Sequence, residues 1–527
     1  MRNIKMLDCT LRDGGCVNNF NFGELYMNQI LNSIEKSGIE IVELGYIDTK
    51  AGSSQGRTQF SNEKVIYQNF LKNKKSGVTY VAMMDYGKFD PDTMEPHSEK
   101  SIDGLRLAFH KKNRKDILPV ARKILDKGYK LFIQPMTGLR YSDAEMLDLI
   151  NDVNSYLPET TAFYIVDSFG EMRQNDIERL VSLVDHNLAP QIAMGLHGHN
   201  NLQHAYPNAI AMLNFFTERN MIFDASIMGM GKGAGNMTTE LFAEHLNLYK
   251  GKNYSLAPLL EVIDKVINQI REDYTWGYAI EYYLSAINSC TPSYAGHFYR
   301  KHMLSVDQVA ELLGMIKEEK KISFDKNYAD ELYYEYNAKQ YDDTATIENL
   351  KKSAAEKEVV LVAPGRSAKE KKDEIQKFIS ENDVISIAVN NLSLVQTEYV
   401  FVTKKNVLEE VADCGRKLIV CSNVQGAGAN GMVLNYANWT EWAEGKSDNA
   451  LIILMNVLMA IGVKKVYLAG FDGFTTEVTA NYYDAKLMRP VSLEKAELRN
   501  KRTKNYLKSI ENKVEVEFLT PSLYQEV

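Results

Sequence analysis

The feature that most constrains the fold is an alternation of short apolar runs with longer amphipathic stretches over the first 250 residues. Segments such as 23–38 and 176–186 have helical character. Strands joined by helical crossovers run parallel. Eight such units in about 250 residues therefore predict an α/β fold, the (β/α)8 TIM barrel. The strand-like runs are 4–10, 39–46, 78–86, 104–110, 130–136, 161–168, 191–199 and 221–230.

An open, doubly wound sheet is the alternative arrangement for the same alternation. The polar residues favour the barrel, because they gather at the carboxyl ends of several different runs. Only a closed barrel brings all of those ends to one mouth. We therefore expect the functional site of this half of the chain at that mouth.

The rest of the chain predicts two further parts. Residues 251–354 have the pattern of a helical annex and a linker. A new strand–helix alternation then predicts a separate C-terminal α/β domain with a Rossmann-like sheet. The expected division is thus 1–250, 251–354 and 355–527.

Composition limits the classes of partner. The chain has 527 residues and a formal net charge of -8, so neither nucleic acid nor an anionic membrane is an expected partner. Its five cysteines form no CxxC pair, which argues against a disulfide framework and a structural zinc site. No apolar signal-peptide core and no run of about 18 apolar residues is found. A cytoplasmic location is the simplest expectation.

The motif HGHN (197–200) closes the seventh predicted strand. Residues i and i+2 of a strand share a face, so His197 and His199 can both offer an imidazole nitrogen to one metal ion. A lone HxH is more often two unrelated polar residues, so this motif alone indicates only a candidate site.

The motif LDCTLRDGG (7–15) closes the first predicted strand. Asp13 is a hard carboxylate ligand, and Arg12 can bind a carboxylate or stabilise an enolate oxygen. Alone, the pair fits a salt-bridge network at the barrel rim equally well. Combined with the two histidines, Asp13 predicts an open metal site that can polarise a 2-oxo acid.

Three motifs in order, LDCTLRDGG, HGHNN and GMGKGAGNMTTE, resemble the DRE-TIM metallolyases over about residues 1–300. That family includes hydroxymethylglutaryl-CoA lyase, 4-hydroxy-2-oxovalerate aldolase and the isopropylmalate and homocitrate synthases. The resemblance implies a divalent cofactor, Mn or Mg, and the donor set is also compatible with Zn or Co. The ligands that it implies are Asp13, His197, His199 and Asn236.

The resemblance also implies roles for other residues. Arg12 matches the family's catalytic arginine, Ser168 a substrate contact, and Tyr294 in SYAGHFY an active-site tyrosine. The aldolase branch carries a histidine base two residues after the RDG triplet, where this chain has Cys16. The base is therefore left open between Cys16, Tyr294, His297 and a metal-bound water. RDGG instead of RDGEQ counts against acyl-CoA condensation.

Other polar residues fall at predicted strand ends. Glu43 and Gln134 are expected substrate contacts, and Asp85 and His110 are further candidates. Each of them could instead complete a polar network. Lys232, in the glycine-rich loop 229–236, could contact an anionic substrate.

In the C-terminal part, the turn APGRS (363–367) joins a predicted strand to a helix. Gly365 and Ser367 could offer amide groups to a phosphate, with Arg366 as counter-charge. A plain turn with Ser367 as helix cap explains the pattern equally well. This part, with Asn390, is remotely similar to sialyltransferase-like and DUF115-type domains, which implies a nucleotide or nucleotide-sugar ligand.

The predicted function is a metal-dependent aldolase or lyase that acts through a pyruvate-type enolate, on a 2-oxo acid and an aldehyde. The expected assembly is a homo-oligomer, and sugar or surface-polysaccharide metabolism is an expected setting. One alternative is an acyl-CoA-dependent Claisen-type synthase on the same barrel. The other is a nucleotide-binding or transferase protein whose function lies in 355–527.

Overall fold

The computed structural model describes residues 2–52, 55–71, 74–300, 304, 306–338, 342–424, 431–440, 449–484, 487–488 and 490–525. Contacts divide the chain into two compact units. The first contains Met1–Gly296 with Lys321–Ser323, and the second contains His297–Lys320 with Phe324–Val527. The helical segment 251–354 is shared between these units, and its assignment as a separate annex stays a prediction.

The described strands of the first unit form a closed barrel of eight parallel strands. The barrel closes because β1 pairs with both β9 and β2, while the two-residue β3 only extends β2 at its edge. The predicted TIM barrel is confirmed. The strands are β1 (Ile4–Asp8), β2 (Ile41–Ile47), β3 (Gln59–Phe60), β4 (Thr79–Asp85), β5 (Gly104–Phe109), β6 (Lys130–Pro135), β7 (Ala162–Asp167), β8 (Ala193–Gly198) and β9 (Met221–Ala225).

Each of the eight predicted runs overlaps one of these barrel strands, although the last strand is shorter than its predicted run. The strand β9 ends at Ala225, and Ile227–Gly229 form a 3-10 turn, with Met228 in the left-handed region at a φ of 52°. Ile227 and Met230 are still buried, which explains why hydrophobicity alone predicted a longer strand.

Helices connect the strands and cover the outside of the barrel. The start of α4 shows how sequence sets a boundary: Ser142 and Glu145 form a capping box. The helices are α1 (Glu24–Lys36), α2 (Glu63–Phe70), α3 (Ile117–Asp126), α4 (Asp143–Tyr156), α5 (Gln174–Asn187), α6 (Ala205–Asn214), α7 (Thr239–Lys250), α8 (Ala257–Val262), a π-helix (Ile263–Ile267), α9 (Asn268–Asp273) and α10 (Ile280–Ile287). A further helix, α11 (Pro292–Tyr299), contains the division between the two units.

The second unit contains a seven-stranded parallel sheet among its described residues, in the order β14-β13-β12-β11-β10-β15-β16. This sheet confirms the predicted separate α/β domain. Its strands are β10 (Glu358–Val362), β11 (Val384–Val389), β12 (Tyr399–Val402), β13 (Lys417–Cys421), β14 (Gly431–Leu434), β15 (Lys465–Ala469) and β16 (Glu515–Phe518).

The helix ALIILMNVLMA (450–460) of the second unit is apolar around its circumference, which explains its almost complete burial. None of the described helices is long and apolar enough to span a bilayer. The helices are α12 (Val306–Gly314), α13 (Lys326–Ala338), α14 (Thr344–Ser353), α15 (Arg366–Glu370), α16 (Lys372–Glu381), α17 (Lys405–Val411), α18 (Tyr436–Trp439), α19 (Ala450–Ala460), α20 (Val478–Asn481) and α21 (Leu493–Ile510).

Candidate metal centre and active site

The barrel mouth brings Asp13, His197 and His199 together, as the sequence motifs predict. Asp13 follows β1, His197 lies in β8 and His199 directly follows it. All three are buried, and one potential ligand atom from each lies within 4.8 Å of the others. These strands are far apart in sequence, so barrel closure is what assembles the group.

The charges of this group suit a metal ion. Burial opposes ionisation of Asp13, but Arg12 and the two histidines hold its pKa well below the usual range. Burial also lowers the pKa of His199 to about 4. At neutral pH the carboxylate is therefore charged and the His199 imidazole is neutral, as metal ligation requires.

Two buried polar atoms test whether the residues fit an ion. Within the described part of the chain, His199 Nδ1 and Asn236 Oδ1 have no hydrogen-bond partner. Asn236 Nδ2 donates to Asp13 Oδ2 over 2.6 Å, so its amide lies against the group. Unpaired buried polar atoms are costly, and carboxylate, imidazole and amide ligands together suit a divalent ion. The residues fit the implied cofactor, and the identity of the metal stays a prediction.

The glycine-rich loop 229–236 permits this close approach. A Cβ atom at Gly231 would lie 2.3 Å from Asn236 Nδ2 and 2.6 Å from Asp13 Oδ2. Gly235 has a φ of +84°, and a Cβ atom there would lie 1.8 Å from the carbonyl oxygen of Gly229. Only glycine fits both positions, which agrees with the expectation that the loop carries Asn236 to the metal group.

Arg12 is held on two sides. Its Nη1 donates to Asp13 Oδ1 over 2.8 Å, and its Nε donates to Glu43 Oε2 over 2.8 Å. The remaining Nη2 is buried and has no partner among the described residues. One donor of a fixed guanidinium group is therefore available beside the metal group.

Sequence analysis missed Arg106 and Asp224, which support the site from inside the barrel. Arg106 is fully buried in the middle of β5, and it pairs with Glu43 over 2.7 Å and with Asp224. Charges are buried only when paired. A single arginine in GLRLAF and a single aspartate in MIFDA were the signals that could have marked these two residues as buried charges, although not their partners.

Asp224 connects this network to the metal group. Its Oδ2 accepts a hydrogen bond from His197 Nδ1 over 2.8 Å. Burial opposes its charge, but Arg106 and His197 keep the pKa of Asp224 below the usual range. Because Nδ1 of His197 donates to a carboxylate, Nε2 of the same ring remains available to a metal ion. This arrangement is typical of metal-ligating histidines.

Glu43 and Gln134 lie in the same interior network. Glu43 is fully buried and accepts from both Arg12 and Arg106. With its amide oxygen facing Arg106, Gln134 accepts from Nε over 3.3 Å and from Nη2 over 3.1 Å. The Arg106 guanidinium also lies 4.8 Å from the centre of the Tyr164 ring. These are the contacts of positioning residues, and direct substrate binding stays a prediction.

The structure places Ser168 at the carboxyl end of β7, where its Oγ accepts from the Thr137 amide over 2.9 Å. Tyr294 is fully buried, and its hydroxyl donates to the carbonyl oxygen of Ser323 over 3.2 Å. The predicted roles of Ser168 as a substrate contact and Tyr294 as a catalytic residue stay predictions.

Cys16 lies beside the metal group, with Sγ 3.9 Å from Asp13 Oδ1. The residue is exposed to solvent, but the protein packed around its sulfur and the negative charge of Asp13 raise the pKa of the thiol to about 12. The neutral thiol is a poor proton acceptor, and its catalytic role stays a prediction.

His297, another candidate base, lies in the second unit, where its Nε2 is 2.8 Å from Asp330 Oδ1.

In the second unit, the turn 363–367 is already occupied by a carboxylate. The Ser367 amide donates to Asp472 Oδ2 over 2.8 Å, and its hydroxyl also donates to Asp472. A Cβ atom at Gly365 would lie 2.7 Å from the same carboxylate. Asp472 therefore fills the position where a phosphate was expected. The helix α15 begins at Arg366, so Ser367 is inside it and is not its cap.

The other predicted nucleotide contacts also have protein partners. Arg366 pairs with Glu370 over 2.9 Å at the surface. The side-chain Nδ2 of Asn390 donates to Thr403 Oγ1 over 2.8 Å, and its Oδ1 accepts from the backbone amide of Thr403 over 2.9 Å. Nucleotide binding in the second unit stays a prediction.

A family model described as HMGL-like matches residues 3–266, slightly more than half of the chain. The chain belongs to the HMGL-like family. This match spans the whole barrel and all four predicted ligands, and it confirms the expected DRE-TIM relationship.

Curated relatives of this HMGL-like chain match it over the same region. The 4-hydroxy-2-oxovalerate aldolase of Pseudoalteromonas translucida is 25% identical over 292 residues, which are 53% of this chain and 82% of the relative. The oxaloacetate decarboxylase of Mycobacterium tuberculosis is 25% identical over 241 residues, 45% of this chain and 67% of the relative. Together with the family, they support a metal-dependent carbon–carbon lyase.

A solved structure shares the fold. It is the N-terminal domain of a Bacteroides vulgatus protein that is proposed to be an aldolase, with a TM-score of 0.50 and 24% identity. The similarity covers 56% of this chain and 96% of that chain.

Proposed function

We propose that the protein is a metal-dependent aldolase that cleaves or forms the C3–C4 bond of a 4-hydroxy-2-oxo acid. The products of cleavage are a pyruvate-type 2-oxo acid and an aldehyde. The observation that carries the proposal is the buried group Asp13, His197 and His199 with Arg12 beside it at the barrel mouth. The aldolase relatives support the same reaction class.

A divalent ion held by Asp13, His197, His199 and Asn236 would act as a Lewis acid on the keto and carboxylate oxygens of the substrate. Negative charge develops on the keto oxygen when the C3–C4 bond breaks. The free Nη2 of Arg12 offers a hydrogen bond to that oxygen. Because the other guanidinium nitrogens are held by protein carboxylates, this donor needs little reorientation during the reaction.

Two buried carboxylates keep the site in this geometry. Asp224 orients the His197 ring through Nδ1, and Glu43 fixes Arg12 through Nε. Arg106 neutralises both carboxylates from below. The site is thus preorganised by a network of buried charges around the predicted ligands and Arg12, which is a general requirement for electrostatic catalysis.

Oxaloacetate decarboxylation is a second candidate, and the similarity to the mycobacterial decarboxylase favours it. It also breaks a C3–C4 bond of a 2-oxo acid and yields the same enolate, so the same residues would serve. The two functions differ in the group that leaves: carbon dioxide in one, an aldehyde in the other. Product analysis with both substrates separates them.

The first experiment measures bound metal by elemental analysis and exchange of pyruvate methyl protons in deuterium oxide by NMR. We compare wild type, His197→Ala and the control His186→Ala, whose side chain lies exposed on α5. We expect wild type and the control to bind metal and to exchange, and His197→Ala to lose both. Reconstitution with Mn, Mg, Zn or Co identifies the active ion. Exchange that persists without metal would contradict the proposal.

A further inference from the structure

A second polar group lies at the barrel mouth and takes no part in the metal group. It consists of Tyr46, Asp85 and His110 at the carboxyl ends of β2, β4 and β5. Asp85 is the last residue of β4 and pairs in register with Ala108 of β5, two residues before His110. Asp85 and His110 therefore end neighbouring strands at the same rim.

Electrostatic contacts define this group further. Burial raises the pKa of Asp85, whereas a hydrogen bond from Tyr46 and the positive charges of Arg12 and His110 act to lower it. Asp85 therefore interacts electrostatically with both His110 and Arg12.

His110 has the properties of a proton acceptor. Its side chain is half-buried, and its Nδ1 is buried without a hydrogen-bond partner among the described residues. Burial lowers the pKa of His110, Asp85 opposes this and Lys112 adds to it. The imidazole is therefore neutral at pH 7. Most buried polar side-chain atoms are paired, so an unpaired histidine nitrogen at the end of the barrel that holds the metal group points to a ligand.

We propose that His110 is the general base that removes the proton from the 4-hydroxyl of the substrate, with Asp85 as the neighbouring anion that stabilises its protonated form. This inference rests on the proposed aldolase function. The position that the aldolase branch uses for its base holds Cys16 in this chain. His110, which directly follows β5, would take that role instead. Removal of the hydroxyl proton is the step that aldol cleavage requires, and His110 is assigned to it.

The proton and electron transfers balance as follows. The hydroxyl proton passes to the His110 ring, and its O–H electron pair forms the carbonyl group of the aldehyde as the C3–C4 bond breaks. The electrons of that bond form the enolate of the 2-oxo acid, whose oxygen faces Arg12. C3 then takes a proton from solvent, and His110 returns its proton to solvent. Condensation follows the same path in reverse.

The test compares two reactions of the full-length, metal-loaded protein. Oxaloacetate decarboxylation and aldol cleavage both form the enolate, but only aldol cleavage removes a hydroxyl proton. Cleavage is measured with 4-hydroxy-2-oxovalerate, and condensation with pyruvate and a panel of aldehydes. The variants are His110→Asn and Asp85→Asn, with the exposed His186→Asn as matched control.

We expect His110→Asn to lower kcat of the aldol reaction by about 100-fold or more and to change decarboxylation by less than about threefold. It should also remove the acidic limb from the pH profile of kcat/KM. Asp85→Asn should move that limb to lower pH, because the anion that stabilises protonated His110 is lost. A purely structural role would not produce this split between the two reactions.

Three outcomes overturn the inference. One is an unchanged aldol reaction in His110→Asn. Another is an equal loss of both reactions with bound metal retained, which would place His110 at the enolate step or in the fold. The third is a wild type that decarboxylates oxaloacetate but turns over no aldol substrate. A wild type with neither reaction refutes the proposed function itself.

Discussion

Replacing Asp224 with Asn tests whether a buried residue outside the predicted ligand set controls the metal affinity. Asp224 is buried, and its Oδ2 accepts from His197 Nδ1 over 2.8 Å while also pairing with Arg106. Asn keeps the shape but loses the charge. The hydrogen bond to the imidazole becomes a neutral one, which is about half as strong as a charge-assisted bond.

The expected loss of metal affinity follows from the role of Asp224 as the partner of His197. Losing the partner that orients a ligating histidine typically costs about 10- to 100-fold in metal affinity, or about 1.4–2.7 kcal/mol. The fold should be affected less than by a broken buried ion pair, because Arg106 keeps Glu43 as a partner over 2.7 Å. We expect the free energy of unfolding to fall by about 1–3 kcal/mol.

The assay is calorimetric titration of metal-free protein with Mn, together with urea denaturation. Asp185→Asn is the matched control, since Asp185 also binds a buried arginine, Arg219, over 2.9 Å but touches no predicted ligand. The control should lose stability and keep its metal affinity. If Asp224→Asn binds Mn within about threefold of wild type, the positioning argument is wrong.

Three further predictions follow from buried contacts. Gly231→Ala places a Cβ atom 2.3 Å from Asn236 Nδ2, so we expect metal affinity to fall at least tenfold in the same titration, and unchanged affinity would contradict the steric argument. Arg106→Leu leaves Asp224 without its cation and should lower the free energy of unfolding by about 3–5 kcal/mol in urea, whereas a loss under 1 kcal/mol would refute a paired buried charge. Burial raises the pKa of Asp167 to about 7, so ionisation costs more in the folded state than in the unfolded chain. Wild type should therefore lose up to about 4 kcal/mol of stability relative to Asp167→Asn as pH rises from 4 to 7, and a pH-independent difference would contradict the shift.

Local sequence carried the prediction of the barrel and of the metal group. Each strand is a short apolar run bounded by polar residues, and the spacing of His197 and His199 by itself puts both rings at one strand end. The predicted strand ends erred by a few residues, most of all after Ala225, where buried apolar residues continue into a turn. Hydrophobicity reports burial, and it cannot distinguish a buried turn from a buried strand.

The interior network was beyond reach of the sequence for a different reason. Arg106 lies 118 residues from Asp224 and 63 from Glu43 along the chain, so no local pattern links them. Glu43 was named from a predicted strand-end position, but it lies inside β2, four residues before the strand ends. Its role as the shared acceptor of two arginines depends on which strands face each other across the barrel.

The turn 363–367 gives the same lesson for the second domain. Its sequence offered the amides of Gly365 and Ser367 to a phosphate. In the structure the Gly365 amide donates to the carbonyl oxygen of Gly470, and the Ser367 amide donates to Asp472, 105 residues later. The sequence by itself determined the strand–helix alternation, the barrel, and the identity of the residues that can bind a metal, because these depend on local periodicity and side-chain chemistry. Only the tertiary structure decided which charges neutralise each other and which donors remain free, because a buried charge is stable only beside a partner that strand order brings to it.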